Sequence, residues 1–324
     1  MKAVSMNHIA PSQEQSLWPD WHAVAPDPLG ALLSEPDGVL AVITGVEGPS
    51  YRPVGAMMAF PASGRPVGSL SSGCIEADLA RHADHVRTTG QAVQLRYGRG
   101  SPFFDIQLPC GGGLDVMLIR VDDLRSIARA LAERKARRKF TLALDPLGGV
   151  SCLPPDGDGW HEGVFHLPMR PDPQFAVFGK GPEARIFAGF AQAAGYPVLL
   201  LSQDKETIGV AAQMGLSTRH LNSARLPPAL DCDQRTAAVL FYHDHDHEPA
   251  LLVELLRTKA GYIGAQGSQR ARDARYAELR RLGVGEDQIA RLHGPIGLIP
   301  STRDPRMLAV SVLAEVLQTF ANQP

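Results

Sequence analysis

The C-terminal half of the chain alternates short apolar runs with amphipathic segments, and this alternation restricts the fold more than any other feature. From Phe175 onward, apolar runs such as 175–179, 197–203 and 237–243 lead into segments with helical spacing or into turns. Strands that alternate with helices in this way form βαβ units, whose strands pair in parallel. We therefore predict a Rossmann-like α/β domain over residues 171–324, built on a parallel sheet with helices on both faces.

The first 170 residues lack this alternation and indicate an α+β domain instead. An apolar strand is predicted at 39–48, and further strands flank a helix predicted at 75–90, whose apolar residues recur at helical spacing. Residues 154–173 are rich in Pro, Gly and Asp, so we place the boundary between a first domain (1–170) and a second domain (171–324) there. A chain of 324 residues has the length of two domains.

Composition excludes several classes of protein. The net charge of −2 gives no indication of nucleic-acid binding. No stretch reaches the roughly 20 apolar residues of a membrane span, and the N-terminus lacks the apolar core of a signal peptide, so we expect a cytoplasmic protein without a membrane partner. The four cysteines should then be thiols, and because none forms a CxxC pair, no structural metal site is predicted.

The segment Gly179-Lys-Gly181-Pro-Glu-Ala184 follows a predicted strand and opens a predicted helix, as in dinucleotide-binding folds. Gly179 allows a tight turn, and Gly181 allows a phosphate to approach the backbone. Glu183 would repel a pyrophosphate, however, and the acid available to bind a ribose is at best Asp204. Two interpretations stay open: an NAD(P) site that includes Gly179 and Gly181, and a Rossmann frame without tight NAD(P) binding.

A second loop, Gly264-Ala-Gln-Gly267-Ser268, also links a strand to a helix, and Ser268 is the predicted N-cap. Arg270 and Arg272 would lie in the first turn, against the helix dipole, which suggests that an anion binds there. The other interpretation is a simple capped turn with solvated arginines. We favour an anion site that includes Gly267 and Ser268, because ligands of such folds bind at the carboxyl edge of the sheet.

A third loop, from His243 to Glu248, carries histidines at alternate positions. In an extended chain, His243, His245 and His247 would share one face and could bind a metal. The alternative is a helix entry with Asp246 as its N-cap. We favour the second interpretation, with His243 beside the ligand and no metal bound.

Two cysteines lie in glycine-containing turns of the first domain. Cys74 opens a predicted helix, where the helix dipole favours the thiolate, and Gly73 leaves the approach to it free. Glu76 could accept backbone hydrogen bonds of the same turn. Cys110 precedes a glycine run beginning at Gly111, which lets a ligand approach the backbone. Two such thiols suit a soft ligand, although the alternative, a buried apolar thiol, is the more common state.

The other two cysteines are predicted to be unreactive. Cys152 lies in a predicted strand, where a small buried apolar residue is expected. Cys232 lies between Asp231 and Asp233, whose charges disfavour a thiolate.

Segments in both domains match the motifs of one known family. In the first domain these are GPSYRPVGAM at 48–57, GCIE at 73–76 and CGG at 110–112. In the second domain they are FG at 178–179, YIGAQGS at 262–268, PIGL at 295–298 and AVSVLAE at 309–315. In their order and spacing these segments resemble the XdhC/CoxI family of xanthine dehydrogenase accessory proteins.

The resemblance implies a role in handling the molybdenum cofactor. Members of the family bind this cofactor, protect it while a terminal oxo group is replaced by sulfur, and pass it to the large subunit of a molybdenum hydroxylase. The resemblance also implies a cysteine desulfurase as the source of sulfur, a homodimer, and no independent enzymatic turnover. On this sequence it implies that Cys74 and Cys110 contact the cofactor and that Arg52 contacts a phosphate or pterin group.

Some positions depart from the family pattern. Ser71 and Ser72 partly replace the glycine run expected before Cys74, and Tyr242 stands where a threonine is expected. These departures suggest a divergent member that serves an aldehyde oxidase and carries the cytosine dinucleotide form of molybdopterin. The main alternative is an NAD(P)-dependent oxidoreductase with a separate substrate domain. A third possibility is a scaffold protein whose basic helix, predicted at 124–139, binds a partner.

Overall fold

The computed structural model describes residues 17–18, 27–33, 36–73, 75–102, 108–242 and 248–323. These residues form two compact units, the first ending at Pro171 and the second beginning at Asp172. Leu17 and Trp18 pack against the core of the second unit, although the sequence analysis placed them in the first domain.

Five of the positions discussed above lie outside the described residues. They are Cys74 and His243, both predicted site residues, His245 and His247 of the same loop, and Asp246, the possible N-cap. The predictions for these positions therefore stay predictions.

The first unit combines helices with antiparallel strands. Its described helices are α1 (Pro28–Leu33), α2 (Glu76–Thr89) and α3 (Leu124–Lys135). Its described strands are β1 (Gly38–Glu47), β2 (Met57–Phe60), β3 (Val67–Gly68), β4 (Val93–Gly98), β5 (Gly113–Val121), β6 (Phe140–Asp145), β7 (Gly149–Leu153), β8 (Gly159–His161) and β9 (Val164–Met169).

Strand β1 is the centre of a five-stranded antiparallel sheet ordered β3-β2-β1-β5-β4. Its side chains alternate between two cores: Val39, Ala41 and Ile43 pack on the α2 side. Leu40 and Val42 pack against α1, α3 and the four-stranded sheet β7-β6-β9-β8. Because both faces of the sheet are covered, β1 is apolar at successive positions rather than at alternate ones.

Helix α2 confirms the helical spacing seen in the sequence. Leu79 and Val86 are fully buried, and each contributes about 1.5–3 kcal/mol to stability by leaving water. Gly90 ends the helix with a φ of 73° and donates its N–H to the Val86 carbonyl. A left-handed residue after the last turn is the conformation that glycine adopts at least cost.

Helix α3 ends at Lys135, earlier than the predicted end at residue 139. The helix cannot continue because Arg137 adopts a φ of 54°, which lies outside the helical region. Phe140 then begins β6, where its side chain is buried.

The second unit consists of alternating strands and helices. Its described strands are β10 (Gln174–Gly179), β11 (Val198–Ser202), β12 (Ser217–His220), β13 (Thr236–Phe241), β14 (Tyr262–Ala265) and β15 (Leu292–His293). Its described helices are α4 (Gly181–Ala193), α5 (Lys205–Gln213), α6 (Glu248–Leu255), α7 (Gln269–Arg281), α8 (Glu286–Ile289) and α9 (Pro305–Ala321).

These strands form one parallel sheet ordered β12-β11-β10-β13-β14-β15. Phe175 and Val177 pack on one face against α4 and α9. Ala176 and Phe178 pack on the other face against α6 and α7. The predicted Rossmann-like sheet with helices on both faces is confirmed. Among the described residues, no helix is both long enough and apolar enough to cross a membrane.

Candidate functional site

Three loops of the first unit leave the same edge of its five-stranded sheet. Glu47 at the end of β1 pairs with Gly113 at the start of β5, which in turn pairs with Gly98 at the end of β4. Gly68 at the end of β3 pairs with Met58 near the start of β2. This edge therefore carries the predicted site residues of the first domain that the structure describes, which are Arg52, Gly73, Glu76, Cys110 and Gly111. We call the described parts of the three segments 48–56, 69–76 and 99–112 the edge loops.

Two of the edge loops touch at Gly112. A Cβ atom on Gly112 would overlap the carbonyl oxygen of Pro49 and lie 2.9 Å from that of Glu47, so only glycine fits there. The Gly112 carbonyl also accepts a hydrogen bond from the Arg99 N–H at 3.0 Å. The glycine run after Cys110 thus holds its loop against the segment that leads to Arg52.

The carboxylate of Glu76 organises the third edge loop. It accepts hydrogen bonds from the Ser71 N–H at 2.8 Å, the Ser71 hydroxyl at 2.7 Å, the Ser69 hydroxyl at 3.0 Å and the Ile75 N–H at 3.2 Å. Burial raises the pKa of Glu76, but these hydrogen bonds outweigh it and leave the pKa below its usual value. The prediction that Glu76 accepts backbone hydrogen bonds in this turn is confirmed. Ser71, a departure from the family pattern, is one of its partners.

The turns around Gly73 and Gly111 leave their backbone accessible. Both glycines have positive φ, 103° and 71°, and no heavy atom lies within 4 Å of the position of an added Cβ. Cys110, next to Gly111, is half-buried, and its side chain packs against the core that includes Ile75 and Leu108. Apart from the residues next to each glycine in the chain, no described residue therefore blocks the approach of a ligand to the main chain at these two turns.

Arg52 is exposed, and its guanidinium forms no hydrogen bond or ion pair with any described residue. The backbone around it is fixed by Ser50, whose hydroxyl donates to the Arg52 carbonyl at 2.7 Å and accepts from the Arg52 N–H at 3.3 Å. Tyr51 and Val54 beside it are 55% and 46% exposed, although apolar side chains are usually buried. An exposed cation beside an exposed aromatic ring can bind an anionic group and stack on a planar ring. The sequence analysis did not single out Tyr51, although it lies inside the GPSYR motif.

Arg96 connects the strand ends from which the edge loops leave. Its guanidinium donates to Asp115 at 2.8 Å, to the carboxylate of Glu47, and to the Arg99 carbonyl at 2.9 Å. The hydrogen bond to Asp115 is the main reason that the pKa of Arg96 is raised. These contacts join the ends of β1, β4 and β5. No local sequence signal identified Arg96, because its partners are distant along the chain.

The remaining described cysteines, Cys152 and Cys232, are both buried, as predicted for Cys152. Cys152 lies in β7, and burial raises the pKa of its thiol. The pKa of Cys232 is raised to about 12, first by burial and then by the charges of Asp231 and Asp233. The acidic neighbours named in the sequence analysis therefore act in the expected direction, but burial is the larger cause.

In the second unit, a main-chain donor of the Gly179–Ala184 loop is bonded to a side chain of α5. The Gly181 N–H donates to the hydroxyl of Thr207 at 3.0 Å. The carboxylate of Asp204 accepts from the Thr207 N–H at 2.8 Å and from the Thr207 hydroxyl at 2.5 Å. Asp204 is thus the N-cap of α5, and the N–H that a pyrophosphate would use is already bonded. These contacts weigh against an NAD(P) site at this loop.

Ser268 is the N-cap of α7, as predicted, since its hydroxyl oxygen accepts from the Ala271 N–H at 3.2 Å. Gly267 and Ser268 are exposed beyond the carboxyl end of β14. Arg270 is exposed, whereas Arg272 donates to Asp273 at 3.2 Å and lies over the ring of Tyr276.

Three of the C-terminal motifs meet around Glu315, to which the sequence analysis assigned no role. The Glu315 carboxylate accepts from the Tyr262 hydroxyl at 2.8 Å and from the Gly297 N–H. The Tyr262 ring stacks on His293 with 4.4 Å between centroids. A Cβ on Gly264 would lie 2.5 Å from the Tyr262 ring, so that glycine is required. Burial lowers the pKa of His293, against the opposing effect of Glu315.

A buried ion pair joins two loops of the parallel sheet. Arg275 on α7 donates from Nε and Nη2 to the two oxygens of Glu248, each at 3.0 Å, and from Nη2 to the Gln266 carbonyl at 2.7 Å. Both charged side chains are about 1% exposed. Glu248 begins α6, directly after the segment that contains His243. No local sequence pattern predicts this pair, because its two partners are far apart along the chain.

Comparison with known proteins gives consistent matches over both units. Residues 31–98 match the XdhC and CoxI family, and residues 175–316 match the XdhC Rossmann domain. The chain is 32% identical to the molybdenum cofactor insertion chaperone PaoD of Escherichia coli, over 90% of this chain and 86% of the relative. It is 26% identical to a Bacillus subtilis protein described as a probable xanthine dehydrogenase subunit, over 90% of this chain and 96% of the relative.

A solved structure shares the fold. A crystal structure described as a xanthine dehydrogenase from Bacillus halodurans superposes with a TM-score of 0.72 at 22% identity. The match covers 92% of this chain and 97% of that chain. On the sequence matches and the shared motifs, this chain belongs to the XdhC and CoxI family.

Proposed function

We propose that this protein binds the molybdenum cofactor and delivers it to the large subunit of a xanthine dehydrogenase or aldehyde oxidase, without turnover of its own. The observation that carries the proposal is the convergence of the edge loops on one edge of the five-stranded sheet. The relative in Escherichia coli is named as a molybdenum cofactor insertion chaperone, which supports the same role here.

The chemistry of the edge loops fits such a cargo. The cofactor offers a phosphate, a planar pterin and soft sulfur ligands of the metal. Arg52 supplies an exposed guanidinium for the phosphate, and the exposed ring of Tyr51 supplies a stacking surface for the pterin. The Cys110 thiol is a soft group at the same edge. The main chain at Gly73 and Gly111 is open to a close approach, while their N–H groups are bonded to the Ser71 hydroxyl and to the Leu108 carbonyl.

Each residue then has a separate role. Arg52, Cys110 and Cys74 contact the cofactor, whereas Glu76 shapes its loop, because its carboxylate is already bonded to Ser69, Ser71 and Ile75. Arg96 positions the loop of Cys110 from beneath. In the second unit, Gly267, Ser268 and His243 remain proposed contacts of the cofactor.

The finer features of the proposal come from the family resemblance and from the departures of this chain from the family pattern. They are sulfuration of the bound cofactor with a cysteine desulfurase as sulfur donor, a homodimer, and the cytosine dinucleotide form of molybdopterin as the cargo. An NAD(P)-dependent oxidoreductase is the alternative, and the occupied Gly181 N–H is the observation against it.

Mass spectrometry of the small molecules released from protein purified from its native host tests the proposal. We expect a pterin and molybdenum in constant ratio to the chain, and their loss from a Cys74→Ser, Cys110→Ser variant. Cys152→Ala is the matched control, because that thiol is buried in β7 and should not affect the cargo. Absence of pterin from the wild-type protein, together with tight saturable binding of NADH, would establish the alternative instead.

A further inference from the structure

The second unit contains a buried guanidinium with an unused donor. Arg275 is 3% exposed, and its Nε and Nη2 are bonded to Glu248 and to the Gln266 carbonyl. Its Nη1 is also buried, and it has no hydrogen-bond partner among the described residues. Nearly all buried donors in folded proteins are bonded, so an orphan on a charged side chain indicates a missing partner.

Two glycines cover this guanidinium at the carboxyl edge of the parallel sheet. A Cβ atom on Gly294 would lie 3.6 Å from Nη1 and 3.4 Å from the Ala265 carbonyl oxygen. A Cβ atom on Gly267 would lie 3.4 Å from Nη2. Gly294 directly follows β15, and Gly267 lies between β14 and α7. Because neither residue has a side chain, a ligand at this edge can come close to Arg275.

The charges around the orphan donor suit an anion. Glu248 compensates the charge of Arg275, so a bound anion must be stabilised by other groups. The N-terminus of α7, a helix of 13 residues capped by Ser268, provides one partial positive charge. Arg270, in its first turn, adds an exposed positive charge. Arg272, also in that turn, contributes its Cγ at 3.7 Å from the Cβ position of Gly294, while its guanidinium is paired with Asp273.

The geometry points to a phosphate-binding site between Gly267 and Gly294, in which a phosphate oxygen accepts a hydrogen bond from Arg275 Nη1. Because Nη1 is covered, the Gly294 backbone moves outward when the oxygen enters. This inference rests on the proposed function for the physiological ligand, which is the phosphate-bearing part of the cofactor. The site itself recognises a phosphate or pyrophosphate group, whichever molecule carries it.

Isothermal titration of the full-length, cofactor-free protein with inorganic pyrophosphate tests the inference. Sodium chloride at matched ionic strength separates specific binding from general screening of charge. We expect saturable binding of pyrophosphate and none of chloride. Failure of the wild-type protein to bind pyrophosphate at millimolar concentrations overturns the inference, because the orphan donor then has a structural role only.

Two variants locate the site. Gly294→Ala places a methyl group in the space facing Nη1 at ordinary contact distances, so it should fold normally and weaken pyrophosphate binding about tenfold or more. Arg275→Lys keeps a positive charge for Glu248 but has a single nitrogen, and it should weaken binding to a similar extent. Gly209→Ala in α5, where no atom lies within 4 Å, is the matched control and should bind like the wild type.

The outcomes separate this inference from the proposed function. Pyrophosphate binding that Gly294→Ala leaves unchanged overturns the site, even if the protein carries cofactor. Loss of pyrophosphate binding in Gly294→Ala and Arg275→Lys supports the site, even if the edge loops of the first unit prove not to hold the cofactor. Thermal unfolding of each variant confirms that the fold is intact.

Discussion

The two sheets of this protein present polar groups at their loop edges in opposite ways. At the edge of the first sheet, Arg52 has no partner among the described residues, and the main chain at Gly111 is exposed. At the edge of the second sheet, Gly181 is bonded to Thr207, and Arg275 is paired with Glu248, so that only its Nη1 lacks a partner among the described residues. Glycines occur at both edges. A glycine motif therefore indicates a binding site only where the neighbouring donors and charges are still available.

The largest effect is expected from breaking the buried pair of the second unit. Arg275→Ala should lower the free energy of unfolding by about 3–5 kcal/mol, because the buried carboxylate of Glu248 loses both of its hydrogen bonds from the guanidinium. Arg280→Ala is the control: its partner Glu286 is exposed, so about 0–1 kcal/mol is expected. Urea denaturation measures both values. Equal losses in the two variants would mean that the Arg275–Glu248 pair does not stabilise the loop edge of the parallel sheet.

Arg52→Gln should have the converse effect, on binding and not on stability. Loss of a charge-assisted hydrogen bond should weaken cofactor binding by about 1.5–3 kcal/mol. The free energy of unfolding should change by less than about 0.5 kcal/mol, since Arg52 is exposed and its guanidinium contacts no partner in the described part of the chain. Arg65→Gln is the matched control, an exposed arginine in the β2–β3 turn at the opposite edge of the same sheet. Equal affinities of the two variants would contradict the assignment of Arg52.

The fold was largely predictable, and the placement of the site only partly so. The spacing of apolar residues and the turn-forming residues predicted the helix at 75–90, the parallel sheet and the Ser268 cap, because these depend on neighbouring residues. The convergence of the edge loops depends on β5 pairing between β1 and β4, and no local pattern encodes that order. The pairing of distant residues such as Arg275 and Glu248 could not be predicted for the same reason.

Glu76 provides a pH-dependent test of the first edge. The pKa of Glu76 is lowered in the folded state. Its contribution to the free energy of unfolding is therefore present in full above the unfolded pKa of about 4.3 and is lost as the pH falls through the folded pKa. Glu76→Gln should lower the free energy of unfolding by about 1–2 kcal/mol at neutral pH. The difference from the wild type should disappear in strong acid. Glu162→Gln, an exposed carboxylate of the same unit, should show no difference at either pH. A constant loss across the pH range would contradict the role given to the ionised carboxylate.

The smallest effect is expected at the Gly179–Ala184 loop, where the Gly181 N–H is bonded to Thr207. Thr207→Val removes the hydroxyl that joins Asp204 to the Gly181 N–H and should cost about 1 kcal/mol of stability. Thermal unfolding measures this loss. Titration with NADH, followed by fluorescence, should show no saturable binding to the wild-type protein. Tight NADH binding that Thr207→Val leaves unchanged would show that the internal bonds do not block the loop.

Hydrogen–deuterium exchange with and without bound molybdenum cofactor tests the central claim most directly. Bound cargo at the first edge should slow exchange in peptides covering 48–56, 69–76 and 99–112, while the β2–β3 turn at 61–66 on the opposite edge exchanges as before. Slowed exchange at 61–66 with no change in the edge loops would contradict the account.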